Sequence, residues 1–139
     1  MNYFKLEGVA VRLVKDRPLY SREKLDEPEK VVALLGMEMQ DLDREEVRVI
    51  FFDSKMQPIA WPQLSIGALD RSIVSPRELL KAAILANASS IILMHNHHSG
   101  DVTPSESDNL LTSRLSKICA LVDIPLLEHI IVGSYGDFY

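Results

Sequence analysis

The chain has 139 residues, 47% of them hydrophobic and 25% charged, a composition that fits one packed domain and excludes a disordered segment. Fifteen basic against twenty acidic side chains leave a net charge of −5, which argues against a surface built mainly to neutralise phosphate backbones. A single cysteine excludes an intramolecular disulfide framework and a four-thiolate zinc site, and it fits a reducing compartment.

Residues 8–14 (GVAVRLV) are short and β-branched, and they predict a first strand. From Lys15 to Lys30 charges dominate and Pro18 and Pro28 interrupt, so residues 1–30 read as that strand and a solvated connecting arm, ahead of a domain over 31–139. Asp26-Glu27-Pro28-Glu29 has the form of an N-cap, a first-turn proline and a third-position glutamate. It opens a helix with Val31, Val32, Leu34 and Leu35 inward, which Gly36 is expected to close. In Glu45–Asp53 the alternation puts Glu45, Val47, Val49 and Phe51 on one strand face and Glu46, Arg48, Ile50 and Phe52 on the other. After the turn-like Asp53-Ser54-Lys55, Gln57–Ile66 returns as the hairpin partner, with Pro62 marking an edge or a bulge.

Ser75-Pro76-Arg77-Glu78 forms a second capping box, followed by a helical stripe of Leu79, Leu80, Ala83 and Ile84. Ser90–Met94 (SIILM) is almost wholly apolar, as a strand buried on both faces requires. Thr103-Pro104-Ser105-Glu106 reads as a third capping box, opening a helix to about Leu121 with Cys119 on its apolar stripe as a small core residue. Pro125–Val132 is a last strand stopped by Gly133. Strands mixed with three helices predict an α/β domain with a central sheet flanked by helices, whose strand order the pattern does not encode. No run approaches eighteen apolar residues and the N-terminus has no signal-peptide pattern, so no membrane association and a cytoplasmic location are expected.

The chemistry concentrates in His95-Asn96-His97-His98-Ser99-Gly100-Asp101-Val102-Thr103-Pro104-Ser105-Glu106-Ser107-Asp108, which leaves a buried strand and enters a capped helix. Residues i and i+2 of a strand point the same way, so His95 and His97 can aim two imidazoles at one point. Asp108 lies early in the next helix, and the intervening glycine-containing loop can fold that helix back over the strand end. Two imidazoles and a carboxylate make a three-ligand set with the fourth tetrahedral position open, as catalytic zinc requires. A lone histidine at a strand end is ordinarily a hydrogen-bonded structural residue, but three within four positions are harder to leave idle. Ser105, three residues before Asp108, shares its helical face and can hydrogen-bond an oxyanion. The alternative is that it supports the helix end, a task the reading above gives to Thr103. For a general base the start of the 45–53 strand offers Glu45, which follows Val47, Val49 and Phe51 toward the site, or Glu46 on the opposite face.

His95-x-His97, seven residues, Ser105, two residues, Asp108 matches the JAMM signature of the JAB/MPN metalloprotease-like domains. The run HNHHSGDVTPSESD resembles the HNHPSGDxTPSxxD run of the bacterial RadC family, with further matches at Ser75–Leu79, Asn87-Ala88 and Leu126–Gly133. The likeness covers about residue 30 to the C-terminus. It implies a cytidine-deaminase-like mixed sheet flanked by helices, with zinc held by His95, His97 and Asp108. Counting back from Phe51-Phe52-Asp53, which resembles the family's FLD, it places the glutamate base at Glu45 and gives Ser105 the charge-stabilising role. The implied activity is zinc-dependent hydrolysis of a peptide or isopeptide bond in a peptide or protein substrate.

The sequence departs from the pattern in places. His98 stands where RadC proteins usually have proline, and it can compete for metal, bond substrate or sit in an exposed loop. Ser75 stands where they often have histidine. The helical DNA-binding-like region of full-length RadC proteins has no counterpart in residues 1–30, and with Gly136-Asp137-Phe138-Tyr139 standing about where the family continues with Ser-Phe, a trimmed end is expected. His129, beside Glu128, can orient a ligand or serve as a structural histidine; Trp61 and Phe52 can line a substrate groove or simply pack. Three other readings compete. A DNA-associated role in repair or recombination follows from the family link, though the acidic balance disfavours direct nucleic-acid binding. A non-catalytic MPN-type scaffold would have no chemical need for the complete His-His-Ser-Asp set. Nucleobase deamination needs a paired-cysteine motif that one cysteine cannot supply. The oligomeric state leaves no trace in the pattern.

Overall fold

The computed structural model describes residues 3–15, 18–42, 45–66, 75–97, 103 and 105–133. Three helices and five strands follow in the order α1 (Pro28–Gln40), β1 (Glu46–Phe52), β2 (Pro58–Ala60), β3 (Gln63–Ile66), α2 (Pro76–Leu85), β4 (Ser90–Asn96), α3 (Glu106–Leu121) and β5 (Leu126–Val132). The strands form one mixed sheet, in which β1 and β4 run antiparallel and β4 and β5 parallel. Both β2 and β3 pair with β1, separated at Trp61-Pro62 and accompanied by register shifts, so the proline acts as anticipated. This is the α/β class expected from the sequence.

Alternation along the central strands divides the core into two halves. Val47, Val49 and Phe51 of β1 and Ile91 and Leu93 of β4 pack against Leu79 and Ala83 of α2 and Leu115 and Cys119 of α3. Ile50, Phe52, Ile92 and Met94 face the other way, onto Val31, Leu35 and Met39 of α1. Phe52 is therefore ordinary packing, on the sheet face opposite α2 and α3. Burying side chains of this kind contributes roughly 1.5–3 kcal/mol each before entropy is counted, and the central sheet collects that gain on both surfaces. At the end of α2, Asn87 takes a left-handed φ of 60° while the Ala88 N–H bonds the Ala83 carbonyl at 2.9 Å, so the chain reverses directly into β4.

Several expected boundaries shift. The strand over 8–14 does not form: residues 3–15 carry no helix or strand, and Val9, Val11, Leu13 and Val14 are exposed. β-branching suits a strand only where a neighbouring edge completes its hydrogen bonds, and among the described residues no strand pairs with this segment. Gly36 does not close α1 but lies buried inside it, because Leu35 and Met39 are both buried on the sheet and outweigh glycine's cost of about 1 kcal/mol. The N-cap of α1 is Glu27 rather than Asp26, whose carboxylate instead pairs with Lys30 at 3.1 Å. No helix among the described residues is long and apolar enough to cross a membrane.

Candidate metal centre

His95 continues the Ile91-Leu93 face of β4 and sits opposite Val47 of β1, with its neighbours on both sides hydrogen-bonded into the sheet. His97 follows immediately past the strand, its N–H bonded to the Val132 carbonyl at 3.0 Å. The two rings meet edge to face with centroids 5.1 Å apart. Asp108 reaches them from the first turn of α3, where its carboxylate is buried. Its Oδ2 lies 2.8 Å from His97 Nε2 and its Oδ1 3.3 Å from His95 Nδ1. The structure thus brings together the three residues that the spacing singled out.

This donor set suits a metal ion. One ligand atom from each residue lies within 4.8 Å of the others, while tetrahedral zinc ligands stand about 3.3 Å apart. Both ring nitrogens of His95 are buried and neither makes a hydrogen bond. A buried nitrogen left so costs about 1–3 kcal/mol, which a cation at this point would offset. The charges are tuned in the same sense. Burial outweighs the pull of Asp108 and Glu45 and lowers the His95 pKa, keeping a lone pair available. Burial alone would raise the Asp108 carboxyl, but its contacts with the Ser105 backbone and hydroxyl, and then the two histidines, hold it below the usual range.

Glu45 and Glu46 separate as strand alternation requires. Glu45 Oε2 lies 3.6 Å from His95 Nε2. Glu46 is buried on the α1 side, where its carboxylate accepts from Arg48 at 3.0 and 3.2 Å. Arg48 also pairs with Glu38 of α1 at 2.9 Å and lies 5.2 Å from the Trp61 ring, so Trp61 too belongs to the face remote from the histidines. Thr103 does not cap α3. Ser105 does: its Oγ accepts from the Asp108 N–H at 3.0 Å, and Asp108 Oδ2 accepts from the Ser105 N–H at 2.8 Å. The capping box therefore begins two residues later than expected, because Asp108 supplies its carboxylate at the third helical position. With Oγ accepting, the Ser105 O–H remains a donor. His98 lies outside the described residues.

Three contributors escape sequence reasoning. Asn96 points to the α1 face, where its Oδ1 accepts the Glu46 N–H at 2.6 Å and ties the start of β1 to the histidine strand. Arg48 anchors Glu46. Thr112 donates its hydroxyl to the Asp108 carbonyl at 2.8 Å and touches His129 Nδ1. The only available signal for Thr112 is its position four residues after Asp108, on the same helical face.

A mixed sheet that aims two strand-end histidines at an aspartate in the next helix is the arrangement of a JAB/MPN-type domain. The RadC-like JAB domain profile matches residues 25–139, and the chain belongs to that family. It is 44% identical over 116 residues to a UPF0758 protein of Thermotoga maritima, covering 84% of this chain and 52% of that protein. Identity to a UPF0758 protein of Desulforamulus reducens is 46% over 107 residues, covering 77% and 47%. With the UPF0758 protein YeeS of Escherichia coli it is 45% over 104 residues, covering 75% and 70%. The chain spans about half the length of the first two relatives.

Proposed function

We propose that this domain is a zinc-dependent hydrolase of the JAMM type that cleaves a peptide or isopeptide bond in a peptide or protein substrate. The observation that carries this reading is the convergence of His95, His97 and Asp108 within 4.8 Å, with Glu45 beside them. Zinc on such a set supplies Lewis acidity and brings the pKa of a bound water from 15.7 toward about 7.

His95, His97 and Asp108 would hold the ion through two imidazole nitrogens and one carboxylate oxygen. Glu45 Oε2 accepts a proton from the attacking water and returns it to the leaving amine nitrogen. The Ser105 Oγ accepts the Asp108 N–H, and its O–H turns to hydrogen-bond the developing oxyanion of the scissile carbonyl. Burial of His95 and Asp108 limits access of bulk solvent and strengthens their contacts.

The test is a peptide and isopeptide library screened with zinc-loaded wild type and Glu45→Gln. The expected result is cleavage by wild type and a loss of about 100-fold or more in Glu45→Gln, with metal content unchanged. Equal cleavage by both proteins would refute the assignment of Glu45, and binding of metal without hydrolysis of any library member would refute the peptidase reading.

A further inference from the structure

The metal-binding residues come from two elements, His95 and His97 from the end of β4 and Asp108 from α3, so the site depends on what fixes α3 against the sheet. One polar link between them uses none of the three side-chain ligand groups. The Thr112 hydroxyl has a single proton, and it goes to the Asp108 carbonyl at 2.8 Å. Thr112 Oγ1 must therefore accept from His129 Nδ1, which carries the ring proton in the neutral tautomer. The other face of the same ring relation is with His95: the two imidazoles stack with centroids 6.2 Å apart and planes 27° from parallel. His129 stands opposite Leu93 in the parallel β4–β5 pair, two residues before His95, so its backbone is locked to the strand that presents the histidines.

We infer that His129 and Thr112 are positioning residues: they hold the first turn of α3, and with it Asp108, at the distance from His95 and His97 that a shared metal requires. The inference rests on the metal reading proposed above. A helix turn free to shift by an ångström would leave the aspartate short of an ion whose ligand distances are fixed near 2.0–2.2 Å. The hydrogen bond from His129 through Thr112 to the Asp108 backbone prevents that shift without occupying any ligand atom. Ordinary packing would tolerate a shape-matched apolar replacement at either position; positioning through a hydrogen bond would not.

The test compares the wild-type chain with Thr112→Val, Thr112→Ser, His129→Leu and His129→Asn. Zinc dissociation constants are measured by competition with a chromophoric chelator, and the visible absorption of the cobalt-substituted proteins reports ligand geometry. Thr112→Val keeps the side-chain shape and His129→Asn keeps an N–H donor near the Nδ1 position. The expected result is zinc affinity weakened by about 10- to 100-fold in Thr112→Val and His129→Leu, with an altered cobalt band. Thr112→Ser and His129→Asn should recover wild-type affinity to within about threefold. Zinc bound by Thr112→Val as tightly as by wild type, with an unchanged cobalt band, would overturn the inference while leaving the metal centre intact. Failure of wild type itself to bind zinc would instead overturn the metal reading and this inference with it.

Discussion

Glu45 and Glu46 are adjacent in the chain and opposite in fate. Alternation sends the first toward His95 and the second under α1, where Arg48 is only 1% exposed and depends on Glu46 and Glu38 for charge balance. Removing one partner of a buried pair strands the other, so Glu46→Ala should destabilise the metal-free fold by on the order of 3 kcal/mol in urea unfolding. Glu45→Ala, which strands no buried charge of this kind, should cost less than about 1 kcal/mol. A reversed order would mean that the strand faces are assigned wrongly. This division was legible from the sequence, because period-two alternation over 45–52 allows Glu45 to share a face with Val47, Val49 and Phe51. The roles of Asn96 and Thr112 were not legible, since each depends on a register between distant segments: Asn96 with Glu46 fifty residues back, Thr112 with His129 seventeen residues on.

At the scale of elements, the N-terminus of α3 joins fold and site in one motif. Ser105 and Asp108 cap the helix reciprocally, so the carboxylate offered to the histidines is also the one that satisfies the Ser105 N–H. Ser105→Ala should lower the stability of the metal-free protein by about 1 kcal/mol, a fall of roughly 3–6 °C in thermal midpoint, and Ser105→Thr should restore most of it. The sequence suggested a capping box here but two residues early, because Thr103-Pro104 also has the form of a helix start. Two further elements show where local signals yield to tertiary ones. Gly36 looks like a stop signal yet stays helical because Met39 continues the buried stripe. Residues 8–14 have strand propensity yet form none, because propensity supplies no pairing edge.

Across the whole molecule, the sheet separates two cores with different duties. One, under α1, holds the Arg48 ion pairs and Asn96 beside its apolar side chains; the other, under α2 and α3, leads directly to the histidines. Cys119 lies fully inside the second core, and burial pushes its thiol pKa up, so the reactive thiolate is suppressed twice. Labelling of Cys119 by a thiol reagent should therefore require unfolding, with a rate that rises with denaturant in step with the loss of secondary structure. Rapid labelling in native buffer would show that this core opens locally. Fold class and the succession of elements from α1 onward could be read from periodicity and capping residues, apart from the division of 57–66 into β2 and β3; strand order could not, because hydrogen-bond partners between strands leave no periodic mark in one chain.

Elemental analysis of the purified protein beside His97→Ala and Asp108→Ala decides whether these residues hold a metal. About one zinc per wild-type chain is expected, and its loss from both variants, each of which retains a cooperative unfolding transition. Undiminished zinc in either variant, or none in the wild type after incubation with a zinc salt, would contradict that expectation.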